Sequence, residues 1–550
     1  MFALTVIAQK QFMPSTQTLF QTEHLPIEQV LSLQPVVRAY LNESEKASEL
    51  VSDFLSVDAI GRQIERKQSS TIHRPLLVDV LKRQYAGFVG EEVFNNIHKL
   101  AEANCFTLVT AHQPNLMGGP LYFIQKAVSA IKAAALCAAE YPNHQFVPVY
   151  WLGSEDHDFE ELNHFHAFGQ SFRWSDQQGG AVGRYSVNSL ETMLAQVVQH
   201  LGSGIHAEAL KNLLQKAYQP GNTMAQANKI ILHELLGQYG LVVIDGDDVD
   251  LKRLMIPFFQ ADIENNTVAT AIQPSLNFIH QEFGHSQAHA RAINIFYLTN
   301  KHRGRIEATA DGRFAVLGSE KLFSKEALLQ ELEAHPERFS PNVMLRPVMQ
   351  EVCLPNLMYI GGGGESAYWL QLKAVFDAFL VPFPLIAVRD TAVYIDSKTK
   401  KKLDKVGLTV EQALQPYDQL VKAYVQSHTE KQLELSPIKQ RLQTLMNEMQ
   451  DMAKDVDITL KASAAAEAHR MQKSISNLEK KMLRAEKRNH DEAIQQIKAI
   501  QEQIFPKGKL QERYLNFMDY YLAYGKHWID WMMENFNLFD KQIKVFIEKH

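Results

Sequence analysis

The sequence predicts an α/β protein: a parallel-sheet core carrying two inserted segments, followed by a helical coiled-coil domain. Three observations lead there. Short apolar, strand-like runs recur at residues 106–110, 146–152, 241–244, 357–360 and 383–388, most of them emptying into glycines, amides or ionisable residues. An Ala-rich helical pattern, PLYFIQKAVSAIKAAALCAAE, joins the first two runs into a βαβ unit, for which a right-handed parallel crossover is expected. Residues 438–505 contain neither Gly nor Pro and repeat apolar residues by threes and fours.

Bulk properties bound the function. A chain of 550 residues exceeds one hydrophobic core, so about two to four structural units are expected. With 46% apolar and 21% charged residues the composition is that of an ordinary soluble protein. A net charge of -6 offers no basic footprint for nucleic acid. No apolar run approaches bilayer length, and MFALTVIAQKQF lacks the charged and apolar regions of a secretion signal, so no membrane partner is expected and the cytoplasm is the default location. Cys105, Cys137 and Cys353 form no CxxC pair; they read as buried thiols, and no structural zinc or other metal site is expected. His285 and His289 lack the acidic residue of an HExxH motif and read as surface histidines.

Residues 1–100 are mostly helical in pattern and carry no legible chemistry. FTLVT (106–110) then leads into AHQPNLMGG and a helix opened by Pro120. Strand, amide- and glycine-rich loop and helix start together make a seat for an anion, lined by His112, Gln113, Asn115, Gly118 and Gly119, with Tyr122 and Lys126 on the first helical turns. The glycines equally suit a plain turn, and Lys126 a solvated face. FVPVYWLGSEDHDFEEL (146–162) empties a buried strand into Glu155, Asp156, His157 and Asp158. A capped helix start explains the acids, but gives no reason for a histidine between two aspartates. Strand ends of this kind are where ligands sit in open α/β sheets.

Residues 165–235 read as a first insertion. LVVIDGDD (241–248) restores the rhythm, and Asp245 suits either a ribose or magnesium contact or a tight Asp-Gly turn. A second insertion spans about 255–345, with strands at 293–298, 305–309 and 313–317 and a hairpin turn at Asp311-Gly312. Beyond it, LMYI is followed by Gly361, Gly362, Gly363 and Gly364 and an amphipathic helix. Four glycines weaken a merely structural turn, so close approach of a ligand is the better reading, with Arg346, Gln350, Glu365, Tyr368, Trp369 and Lys373 as neighbours. The pattern is neither GxGxxG nor a P-loop. The coiled-coil seam is read at Leu442, Leu445, Met449, Met452 and Val456 and at Met471, Ile475, Leu478, Met482 and Ala485, with a reversal near 455–457 or 488–491. Boundaries follow: a core over 1–390, a helical domain over 391–510, and an aromatic tail over 511–550 that returns to the core.

AHQPNLMGGPLYFIQK, PVYWLGSEDHDFEELN, HPERFSPNVMLRPVMQEVCLPNLMYIGGGGESAYW and the late coiled coil together resemble the BshC family, to which the cysteine-adding step of bacillithiol biosynthesis is assigned. The resemblance runs from about residue 70 to the carboxyl terminus. It implies a Rossmann-like core, two connecting segments, and a coiled-coil arm through which a homodimer forms. It also implies a ligase that joins cysteine to the amine of glucosaminyl-malate, with ATP, alone or with magnesium, activating the carboxylate by analogy with class I aminoacyl-tRNA synthetases. On that reading Gly118, Gly119 and Lys126 lie near phosphate, the 361–364 glycines near nucleotide or carboxylate, and Glu155, Asp156, His157 and Asp158 bind the amine or move its proton. The synthetase HIGH and KMSKS signatures are absent, with only His112-Gln-Pro-Asn115 and Ser397-Lys-Thr-Lys400 in their place. A nucleotide-binding coiled-coil scaffold without ligase activity is the alternative from another class, and a synthetase-like tRNA binder is disfavoured by the charge.

Overall fold

The structure is a computed structural model and describes residues 20–30, 33–284, 291–430, 433 and 435–549. His285 and His289 lie outside the described residues. Two compact units result. The first holds Thr22–Val393 and Gln511–Val545; the second holds Tyr394–Leu510 with short pieces from both ends of the chain.

The first unit is built on five parallel strands, β1 (Cys105–His112), β2 (Gln145–Leu152), β3 (Val242–Asp245), β4 (Asn356–Gly361) and β5 (Leu385–Val388), in the order β5-β4-β1-β2-β3. Every residue of β4 and β5 is buried, which is the mark of a parallel sheet covered on both faces. The order runs outward in one direction through β1, β2 and β3 and then restarts beside β1 with β4. A topological switch point therefore lies between the carboxyl ends of β1 and β4. Helix α1 (Tyr122–Glu140) is the crossover from β1 to β2. Its small Ala130, Ala133 and Ala134 join Phe106, Leu108, Met358, Ile360, Leu385 and Ala387 in one core cluster, because alanine lets a helix approach the sheet closely.

Residues 153–241 form the first insertion. A hairpin pairs His164–Ala167 with Gln170–Arg173 through Phe168 and Gly169, both at positive φ (56° and 70°), the twist a two-residue hairpin prefers. The unusual Phe168 conformation is held by Asp519, which accepts its backbone N–H at 2.9 Å. Residues 246–355 form the second insertion. Its antiparallel sheet has five strands rather than the three read from the sequence, in the order Leu322–Phe323, Phe314–Val316, Arg303–Ala308, Ile295–Leu298, Phe339–Pro341. The two extra strands are two and three residues long, too short to show alternation. The aromatic tail is part of this unit: Asn516 donates to the carbonyls of Met117 and Gly119 (2.8 and 2.7 Å), and Trp528, Ile529, Met532 and Met533 are buried. Two further helices matter below, α2 (Arg346–Cys353) and α3 (Gly363–Trp369).

In the second unit, α4 (Ser436–Val456) and α5 (Leu460–Lys487) form an antiparallel hairpin that reverses at 457–459. Asp457 accepts the Thr459 backbone N–H at 2.8 Å in that turn, and Lys439 pairs with Glu479 at 2.6 Å farther along the stem. The seam differs from the sequence reading. Met446 and Ala468 are buried, whereas Leu445, Met449, Met452 and Val456 are exposed. The less exposed positions of α4 include Leu442, Met446, Gln450 and Ala453, a stripe that an apolar count passes over because it includes a glutamine.

Candidate functional site

Three strand ends meet at the switch point. β1 and β2 pair in register to His112 and Leu152, and the Gly153 N–H continues the ladder to the His112 carbonyl at 2.8 Å. Thr110 Oγ1 donates to the Ile360 carbonyl at 2.7 Å, tying β1 to the last residues of β4. A cavity of about 540 Å³ opens there, a size suited to a small-molecule substrate. Ala111, His112 and Gln113 line it from β1, Gly153, Glu155 and Asp156 from β2, and Tyr359, Glu365 and Tyr368 from β4 and α3. Arg346 lines it from α2, and the second insertion adds Arg291, Phe296, Arg303 and Arg305.

Glu155 is buried against this cavity, with Lys252 Nζ 2.8 Å away. Lys252 is itself fully buried and is shared with Asp247 at 2.5 Å, while Arg184 pairs with the same Asp247. Burial pushes the Glu155 carboxyl above the usual carboxylate range, opposed by Lys252 and assisted by Asp247. Asp156 goes the other way. Against the cost of burial, His157, Gln113 and the Arg303 guanidinium hold it well below the usual range. Gln113 donates to its Oδ2 at 2.9 Å, and the backbone N–H groups of His157 and Asp158 donate to its Oδ1. Asp156 is thus an ionised turn-former in the cavity wall. His157 lies at the rim, its Nδ1 3.2 Å from an Arg303 guanidinium nitrogen and 3.6 Å from Asp156 Oδ1. Asp158 has a different role from the one read in the sequence. Its carboxylate caps the short helix Phe159–Leu162 by accepting the Glu161 N–H.

Beneath the cavity lies a second network. Lys126, fully buried, donates to the Ala111 carbonyl at 2.6 Å and to both Glu365 oxygens at 2.8 Å. Tyr359 donates to Glu365 at 2.8 Å and Gly362 N–H at 2.9 Å. Burial lowers the Lys126 ammonium to about 8, and against the same burial Lys126 holds Glu365 down at about 2. His112 is pushed down to about 3 by burial and by Lys126. Its neutral ring accepts the Gln113 N–H at Nδ1 (2.9 Å), which leaves the proton on Nε2, facing Tyr122 Oη at 3.0 Å.

Several sequence-derived candidates stand away from the cavity. Lys126 is spent on Glu365 and the Ala111 carbonyl, so it is no free phosphate ligand. Gly118 and Gly119 (φ 75° and 68°) shape a turn packed on the tail; a Cβ on Gly119 would sit 2.2 Å from Phe123. Asn115 is buried in the same turn, its N–H given to Asn228. Gly361 to Gly364 carry β4 into α3, where the Gly362 N–H is already taken by Glu365 and a Cβ on Gly363 would meet Leu33 at 2.8 Å. Trp369 stacks on Tyr359 at 4.0 Å, Gln350 binds Arg346 and Glu351, and Tyr122 lies behind His112. Asp245 accepts from Ser154 and from the Asp247 N–H, and burial raises it to about 6. These residues position the wall rather than form it.

Sequence reading missed Arg291, Arg303, Arg305 and Glu161, which line the cavity. For two of them a signal existed: Arg303 and Arg305 alternate along Arg303–Ala308, so they share one face of that strand. Arg303 is fixed by Ser340 Oγ and the Pro341 carbonyl at 3.0 Å and lies 3.9 Å over the Phe296 ring. Four guanidinium groups in one cavity favour a ligand with more than one carboxylate or phosphate.

Two family profiles cover almost the entire chain. The N-terminal Rossmann-like domain of bacillithiol biosynthesis BshC matches residues 20–390, and its C-terminal coiled-coil domain matches residues 392–548. A Flavobacterium johnsoniae protein named "Putative cysteine ligase BshC" is 37% identical over 513 residues, covering 92% of this chain and 96% of the relative. A Christiangramia forsetii protein of the same name is 36% identical over 518 residues, covering 93% and 96%. Among solved structures, a Plasmodium falciparum tryptophanyl-tRNA synthetase pairs at 10% identity and a TM-score of 0.21, covering 82% of this chain and 92% of that one, which is too shallow to carry an argument. A Rossmann-like domain and a coiled-coil domain, in order and matched nearly end to end, establish that this chain belongs to the BshC family.

Proposed function

We propose that the chain is a ligase of bacillithiol biosynthesis that forms an amide bond between the carboxylate of cysteine and the amine of glucosaminyl-malate. One observation carries the reading furthest: a single cavity places the buried Glu155 carboxylate beside four arginines. Glucosaminyl-malate presents a matching set, one amine and two carboxylates. The arginines suit the malyl carboxylates, and Glu155, with its raised affinity for protons, suits the ammonium proton that must leave before nitrogen attacks. Lys252 positions Glu155 without entering the cavity. ATP, in this reading, supplies the activated acyl group, so that the amine displaces a nucleotide leaving group from the cysteine carbonyl.

The test is direct. Purified full-length protein with cysteine, glucosaminyl-malate and ATP is expected to yield bacillithiol, followed by mass spectrometry, with nucleotide consumed in equal amount. Nucleotide binding with no condensation product under any nucleotide supply would favour the scaffold reading instead. We also propose that two copies associate through the α4–α5 hairpin, supported by the exposed Leu445, Met449, Met452 and Val456 stripe.

A further inference from the structure

Arg389 follows β5 and is 3% exposed. Its two terminal nitrogens bind Glu512 at 2.7 and 2.5 Å, and one of them also reaches the Asp390 carbonyl and Thr391 Oγ1. Its Nε is buried and has no hydrogen-bond partner among the described residues. A Cβ built on Gly362 would lie 3.8 Å from that Nε and 4.0 Å from a terminal nitrogen of Arg513. Both guanidinium groups therefore border the same space over Gly362. Arg513 is exposed, forms no ion pair among the described residues, and sits 5.7 Å from the Tyr122 ring centroid, with Arg389 at 5.4 Å from the same centroid.

We propose that this space is an oxyanion subsite for a phosphate group, built by Arg389 and Arg513 and completed by the C-terminal segment that supplies Glu512 and Arg513. A buried N–H without an acceptor is costly, and a bound oxyanion removes that cost. Charges agree: Glu512 neutralises Arg389 and Lys126 neutralises Glu365, so Arg513 leaves one positive charge unanswered. The glycine keeps the space open; its φ of -76° is one that any residue adopts, so backbone geometry alone does not require glycine there. The subsite lies at the switch point, and the Glu365 carboxylate, 3.6 Å from the same Cβ position, also lines the main cavity. A nucleotide phosphate over Gly362 would thus sit next to an acyl group in the cavity. The identity of the phosphate donor as ATP rests on the ligase reading; the subsite itself does not.

Calorimetric titration of the full-length protein with pyrophosphate, ATP and adenosine tests this. Wild type is expected to bind pyrophosphate and ATP, and adenosine much more weakly. Arg513→Gln and Gly362→Ala should each weaken pyrophosphate and ATP at least tenfold, with unchanged circular dichroism and melting temperature. Arg313→Gln, on the exposed Asp311-Gly312 hairpin turn away from both sites, should leave pyrophosphate affinity within twofold. Wild-type affinity in both Arg513→Gln and Gly362→Ala, or no pyrophosphate binding by wild type, would overturn the proposal. Loss of binding in Arg513→Gln beside an enzyme that makes no thiol product would retire the ligase reading and leave the subsite standing.

Discussion

Lys126 Nζ lies 2.8 Å from each carboxylate oxygen of Glu365, and this pair ties α1 to α3 across the switch point. Lys126 also holds the last carbonyl turn of β1 through Ala111, and Glu365 holds the Gly362 amide at the end of β4. One ion pair thereby fixes the relative position of the two strand ends that frame the cavity.

That pair gives stability an acid limb. The Glu365 carboxyl falls from 4.5 to about 2 on folding, so its contribution is complete above about pH 4.5 and is lost as the pH drops toward 2. By linkage the contribution is about 3 kcal/mol. Urea unfolding between pH 2 and 7 should show this slope in wild type and a flatter profile in Glu365→Gln. Equal slopes would remove the pair from the account. Lys126→Met, which strands a carboxylate, should cost about 3 kcal/mol at neutral pH.

Glu155 is expected to govern the acid side of activity. A base must be unprotonated to accept the ammonium proton, so turnover should fall as the pH drops through its pKa, which burial places above the ordinary carboxylate range. Glu155→Gln should lower kcat about 100-fold with little change in either KM, and abolish that limb. Steady-state rates of the two proteins across pH 5 to 9 decide the matter, and full turnover by Glu155→Gln would eliminate it as the base.

Arg346 lines the cavity, and its guanidinium stands 5.8 Å from the Tyr359 ring centroid, with one nitrogen donating to Gln350 at 3.1 Å. Losing one charge-assisted contact to a carboxylate costs about 2 kcal/mol. Arg346→Gln should therefore raise KM for glucosaminyl-malate some thirty-fold, at about 1.4 kcal/mol per decade, while KM for cysteine moves little. An equal rise for both substrates would place the residue elsewhere in the mechanism.

The hairpin separates packing from association. Met446 is 1% exposed, so Met446→Ala should destabilise the second unit by about 2 kcal/mol or more. Met449 is 47% exposed; Met449→Glu together with Leu445→Glu should leave helicity intact and, if two copies pair through this stripe, shift the mass measured by light scattering from dimer to monomer. A dimer that survives both substitutions would place its interface away from the exposed stripe.

Local pattern carried much of the architecture. The strands ending at His112, Leu152, Asp245, Gly361 and Val388 are legible because fully buried parallel strands are continuous apolar runs, and the Ala-rich α1 between two of them calls for a crossover. The ionisable cluster after β2 is visible for the same reason, since it interrupts such a run. What local pattern could not supply is which groups face one another. Lys126 and Glu365 lie far apart in sequence yet neutralise each other, so a lysine on a helix start that reads as a phosphate ligand is a structural cation. The glycine turn reads as an anion seat built of backbone amides, but Glu365 occupies the Gly362 amide, so the groups that border the space over Gly362 are the Arg389 and Arg513 side chains. Arg303 and Arg305 look like the surface of a small sheet until the second insertion lays that sheet over the cavity. Apolar periodicity is a property of neighbouring residues, and a chain can display it before it folds; the pairing of charges and the enclosure of a cavity depend on long-range approach, which only tertiary packing sets.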